Sequence, residues 1–292
     1  MYRKILSSII LGLLIVPTIA HAQSVFSDTY VIPVVSHTAG RNGIWMSDVT
    51  ITNFQSTPLT VQLIVVESGE NNSDNIFPLT TDAINNSVMV PANGTVVLKD
   101  VLKGYRGMTN ASGALILGGD KPFAVTSRSY LTGANGAMLG QTVTPARDFF
   151  ENSTGRSDNT QVAIIPGISN NGSTRTNIGF LAGAGSAGGA TLAVQITIRD
   201  ANGTSLGTKI VSLPPGNFTQ TQFSVSSITS TFFDVGSAEF RLVQGLGTIV
   251  PYASVIDNAT GSPMYIMGQF PASTPFAKSS TSSNIFRDLF QW

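Results

Sequence analysis

"LAVQITIRDANG", Leu192 to Gly203, decides the fold, because a near copy, "LTVQLIVVESG", Leu59 to Gly69, stands much earlier in the chain. In the later stretch Leu192, Val194, Ile196 and Ile198 alternate with Ala193, Gln195, Thr197 and Arg199, which puts an apolar row and a mostly polar row on opposite faces of a strand. This is the pattern of a half-buried strand in an antiparallel sheet. In the earlier stretch Leu59, Val61, Leu63 and Val65 fall on the same phase.

The correspondence extends outward in both directions. Before each shared strand come "VIPVV" at Val31 and "AIIPG" at Ala163, then "SDVTITNF" from Ser47 and "RTNIGFLAG" from Arg175. After it each copy has a Pro/Gly turn leading into another strand, "VPANGTVVL" from Val90 and "LPPGNFTQTQF" from Leu213. Later stand "GALILGGDKPFAVTSRSY" from Gly113 and "GSAEFRLVQGLGTIVPYASVI" from Gly236, each a strand, a Gly-containing turn and a strand, which reads as a hairpin. Both copies close on Gly-Gln, at Gly140-Gln141 and Gly268-Gln269.

Each copy therefore carries seven or eight short strands with almost no amphipathic helical stretch. The expected fold is all-β, two tandem immunoglobulin-like antiparallel β-sandwiches joined by a short linker. The boundaries read as a first sandwich at 24–144, a linker at 145–160 in the polar "PARDFFENSTGRSDNT", a second sandwich at 161–270 and a tail at 271–292. The alternative is one continuous sandwich or barrel of twice the strand number, against which each repeat is already near the ~100 residues of a single sandwich.

The first 22 residues read as an export signal. Arg3 and Lys4 precede an apolar run from Ile5 to about Ala20, and Ala20-His21-Ala22 supplies the small residues of a cleavage site before Gln23. A retained anchor is the competing reading, but a span needs about 20 apolar residues and Pro17 interrupts this run. The expected mature chain has no membrane span and is secreted or periplasmic, with cell-surface association as a further option.

Composition narrows the function classes. Only 11% of residues are charged, a balance typical of secreted β-rich proteins rather than helical ones. Removing Arg3 and Lys4 leaves 14 basic against 16 acidic residues, without the basic excess that nucleic-acid binding needs. The absence of cysteine excludes disulfides, thiolate metal sites and a cysteine nucleophile.

The order "IPVV…G…W…SDVTITN", "VQLIV", "VPANGTVVLKDVL", "GALIL…PFAVTSRSY", then "IIPG…RTNIGF", "VQITIRDANGTSLGTKIVSLPPG" and "YASVIDNATGSP" resembles a group of secreted bacterial proteins with two tandem immunoglobulin-like domains. The resemblance implies that fold and export. Its motifs are strand and turn patterns, so it carries over no functional residue.

Catalytic chemistry is thinly represented. With His21 lost in the signal, His37 is the only histidine, so a multi-histidine metal site is excluded and a Ser-His-Asp triad would have to use it. His37 reads as an ordinary residue where a strand gives way to a loop, and no G-x-S-x-G motif accompanies it. The acidic residues are scattered and no pair stands out for glycoside hydrolysis. Asp200 and Asn202 in "RDANGTSLG" are spaced like the start of a calcium loop but lack its later ligands, and Asn-Gly reads first as a hairpin turn. "DNATG" at Asp257 reads similarly. The Gly-rich "AGAGSAGGA", Ala182 to Ala190, lacks the lysine of a phosphate loop and reads as a variable connection. No cofactor or metal is expected.

The candidate contact residues are loop aromatics and arginines, favoured at interfaces. They are Arg41 and Trp45 in "GRNGIWMSD" and Tyr105 and Arg106 in "KGYRG", with Phe286, Phe290 and Trp292 in the terminal "NIFRDLFQW", which groups its apolar side chains on a helix. For the tail, the two readings are a cap on its own domain and a segment that docks on a partner or on a second copy. The expected function is a non-catalytic binding or adhesion module for a protein or glycan. A periplasmic assembly chaperone that adds a strand to a partner is the alternative, followed by an extracellular hydrolase or its accessory domain.

Overall fold

The computed structural model describes residues 27–40, 43–70, 72, 86–133, 138–147, 162–184, 191–214, 218–245 and 247–270. The expected export signal, Arg41, most of the Gly-rich connection, the expected linker after Arg147 and the tail with Phe286, Phe290 and Trp292 lie outside the described residues. The chain is all-β and antiparallel. In the first half the strands are β1 (Ser27–Gly40), β2 (Gly43–Thr52), β3 (Leu59–Glu67), β4 (Ser87–Val90), β5 (Thr95–Leu98), β6 (Ala111–Gly133), β7 (Met138–Val143) and β8 (Ala146–Arg147). The second half has β9 (Val162–Asn170), β10 (Thr174–Ala184), β11 (Leu192–Asp200), β12 (Ser205–Leu213), β13 (Phe218–Ser224), β14 (Phe233–Gln244), β15 (Gly247–Asp257) and β16 (Pro263–Met267).

Strand order carries the sequence repeat into three dimensions. The second half forms two four-stranded sheets, β12-β11-β14-β9 and β13-β10-β15-β16. In the first half β6 serves both layers, pairing with β3 up to Gly119 and with β1 up to Phe123, and with β2 and β7 from Ala124 onward. The first-half layers are therefore β4-β3-β6-β1 and β5-β2-β6-β7, the same order strand for strand. The edge closure repeats too. Ala146 and Arg147 pair with β1 opposite Val31 and Tyr30, and Gln269 exchanges backbone hydrogen bonds with Ile164 of β9. β8 thus occupies the start of the expected linker.

The two expected hairpins are corrected. The first and second parts of β6 do not pair with each other, and β14 and β15 belong to different sheets. The physical reason is the apolar pattern. Leu115 and Leu117 reach one core cluster from one layer while Val49 and Ile51 reach it from the other, and Phe240 and Leu242 face Ile249 and Ala253 in the same way. A crossing between layers lets both flanks of the turn bury their apolar rows on one core, where a hairpin would place them side by side. Gly245 makes the second crossing at φ 79, where a Cβ would come 2.5 Å from the Thr191 carbonyl.

β3 is also not half-buried. Leu63 and Val65 lie in the core of the first half, but Ile64 and Val66 on the opposite face are buried with Val31, Ala114 and Ile116 against Leu181, Phe218 and Val250 of the second half. The outer face of β4-β3-β6-β1 thus packs on the outer face of β13-β10-β15-β16. The junction is reinforced where the Gly69 N–H donates to the Gln220 carbonyl at 3.1 Å and Asn72 Nδ2 to the Phe218 carbonyl at 3.0 Å. Among the described residues no helix is long and apolar enough to cross a membrane.

Candidate functional site

Among the described residues, a dense group of titratable side chains lies at one end of the first half, where β1, β2 and a single π-helical turn (Val101–Tyr105) meet. Asp48 and Arg128 stand directly opposite each other on β2 and β6. Asp48, 5% exposed, accepts from Arg128 Nη2 at 2.7 Å and Nε at 3.1 Å, from the Tyr130 hydroxyl at 3.0 Å and from the Asp100 N–H at 2.9 Å. The Arg128 guanidinium also lies 4.7 Å from the centre of the Tyr130 ring, a cation–π geometry. Burial pushes the Asp48 carboxyl up, but the Asp100 N–H, Arg128 and Tyr130 together outweigh it and hold it below the usual carboxylate range. Burial and the Asp48 partner push the Tyr130 phenol up to about 12.

His37 is not where a strand gives way to a loop. It lies within β1, 7% exposed, with Nδ1 2.9 Å from the Asp100 carboxylate. Asp100 itself sits at φ 46, ψ 62, a left-handed conformation that costs a non-glycine residue energy. The contacts of its N–H to Asp48 and of its carboxylate to His37 hold it there. A histidine oriented by a carboxylate is half of a triad, yet among the described residues no hydroxyl is hydrogen-bonded to His37 Nε2. Asp48, saturated by four donors, has no acceptor capacity left for a general base. The network's evident task is to pin the π turn to the sandwich. The turn's other end is fixed by Tyr105, whose hydroxyl donates to the Ser87 carbonyl at 2.6 Å.

Of the residues singled out in the sequence, the structure brings Tyr105 and Arg106 onto this turn, both half-exposed. Trp45 lies on β2 beside Leu131 and over Gly40, where a Cβ would meet its ring at 2.8 Å, so it is a partly exposed strand residue packed on its own layer. The reading from sequence missed His37 with Asp100, and Asp48 with Arg128 and Tyr130. The second set left a signal, since "SDVTITN" and "TSRSY" each carry one charge, of opposite sign, inside a strand pattern. The pairing of Asp100 with a residue 63 positions away left none.

The two loops with calcium-like spacing are self-satisfied turns. Asp200 Oδ1 accepts from the N–H groups of Asn202 and Thr204, and Asp257 Oδ1 from those of Ala259 and Thr260 and from the Thr260 hydroxyl. These bonds to Thr260 hold the Asp257 carboxyl below its ordinary range. Among the described residues no three His, Asp or Glu side chains group as metal ligands would.

No family model and no curated protein matches the chain. Among solved structures, a lectin from Pleurotus ostreatus in complex with GalNAc is similar at 8% identity and TM-score 0.21, over 85% of this chain and 88% of the lectin. Beta-glucuronidase 2 from Bacteroides uniformis is similar at 10% identity and TM-score 0.19, over 80% of this chain and 26% of the enzyme. Likeness at that level carries no argument about fold or function.

Proposed function

We propose that this chain is an exported, non-catalytic recognition module of two tandem immunoglobulin-like sandwiches, which binds a protein or glycan at the end of the first half. The observation that carries the reading is the use made of the polar groups there. His37, Asp48, Asp100 and Tyr130 are occupied with one another and with the backbone, so they stiffen a loop platform, while Arg106 at the end of the π turn and Trp45, three residues before Asp48 on β2, remain partly exposed. Recognition residues commonly sit on loops that a rigid scaffold holds in place.

The mature chain, starting at Gln23, should give saturable binding to a subset of ligands on a glycan and protein array, weakened at least tenfold by Trp45→Ala with Arg106→Ala. It should turn over no glycoside or ester substrate. Turnover that disappears in Asp100→Asn would overturn the non-catalytic reading.

A further inference from the structure

The π turn carries Lys99, Lys103 and Arg106 within eight consecutive residues, with Lys99 and Lys103 exposed. Two carboxylates stand nearby: Asp48 is paired with Arg128, and Asp100 lies against His37, so the stretch from Lys99 to Arg106 carries three cations and one carboxylate. Among the described residues no ion pair reaches the three cations. The stretch therefore carries an excess of positive charge on a turn that hydrogen bonds hold at both ends.

The repeat shows that the fold does not require these charges. At the same place in the second half, after β13, a 3-10 turn (Val225–Ser227) closes the sandwich in the same way, with Val225 buried and Ile228 packed on the core, as Val101 and Leu102 are in the first half. Its sequence, "FSVSSITS", has no charged residue where "LKDVLKGYRG" has three cations. Only the first half bears the charge.

From this contrast we infer that the π turn is a docking platform for an acidic polysaccharide, a chain bearing repeated carboxylates such as a polyuronate. The inference rests on the recognition-module reading and gives it a ligand class. Three cations on a projecting turn suit a ligand that presents weak, repeated charges along its length, with affinity gained by multiple contacts. They are too few for nucleic acid, where specific binders neutralise about 6–10 phosphates.

The test is binding of the mature full-length chain to soluble polygalacturonate as a function of salt. Wild type should bind at low ionic strength, and Lys99→Ser with Lys103→Ser and Arg106→Ser should lose at least tenfold in affinity. The slope of log affinity against log salt should shrink by about one for each cation removed. The single variant Lys103→Glu, at an exposed position, should show a smaller loss in the same direction and serves if the triple variant does not fold.

Removing three distant cations by Lys121→Ser, Arg175→Ser and Lys209→Ser should leave binding unchanged. An equal loss there would mean diffuse charge and overturn the platform. Binding to polyglutamate as tight as to polygalacturonate would overturn the polysaccharide assignment. If polygalacturonate does not bind but another array ligand does, this inference falls and the recognition reading stands. If no array ligand binds either, both fall.

Discussion

Asp48 is a carboxylate in the middle of a strand, and four donors converge on it. Removing it strands the Asp100 N–H, the Tyr130 hydroxyl and the Arg128 guanidinium together. Asp48→Ala should therefore cost about 2–3 kcal/mol at neutral pH, less than breaking a fully buried pair costs, because Arg128 is 53% exposed and partly rescued by water. The sign of the pH effect follows from the depressed carboxyl. Its contribution is fully present above the ordinary aspartate value of about 4 and is lost as pH falls through the lower folded value. Urea melts between pH 5 and pH 2.5 should show wild type losing stability faster than Asp48→Asn as acid is added. Parallel curves for the two proteins would mean that Asp48 does not hold the π turn.

At the scale of the strand, β3 and β11 show how far sequence reasoning reached. Their shared "VQ" and common phase located both strands, because an alternating apolar row survives whatever lies across the sheet. The difference between them was also written out, as Ile64 and Val66 against Thr197 and Arg199, and it marks β3 as buried on both faces. Alternation alone says that a face is apolar and leaves open what covers it, so the junction between halves was not legible. Nor was the layer crossing at Gly245, since a strand, a turn and a strand look alike whether the chain returns in the same sheet or passes to the other. Ile116 tests the junction directly. It is fully buried against the second half, and its counterpart by register is Glu239, which faces Thr197 as Ile116 faces Ile64. Ile116→Glu would bury an unpaired carboxylate and should cost about 3 kcal/mol or more, or drive the halves apart. Calorimetry together with small-angle scattering reads either result, and an unchanged melt with unchanged dimensions would refute the packing of these two faces.

At the scale of the whole molecule, the two halves of the chain meet through different faces. A contact of that kind leaves each of its faces represented once more in the other half, and so has the potential to continue into a ring or filament. Repeat arrays stop when the terminal face is polar. The second half shows such a face, because the positions matching Ile64, Val66 and Ile116 are Thr197, Arg199 and Glu239. There Glu239 accepts from Arg199 Nε at 3.1 Å and from Arg241 Nη2 at 3.0 Å. Burial raises the Glu239 carboxyl, but the two arginines outweigh that and hold it below its usual range, so the face keeps its charge at neutral pH. Replacing Thr197, Arg199 and Glu239 with the first-half residues, Ile, Val and Ile, would remove the ion pairs and make this face apolar along β11 and β14. Each such side chain gains about 1.5–3 kcal/mol on full burial, so a second copy should supply that burial. Sedimentation velocity of the triple variant should show concentration-dependent self-association beyond that of the unaltered chain, with the secondary structure intact by circular dichroism. A triple variant that associates no more than the parent would mean that the polar face does not limit further stacking.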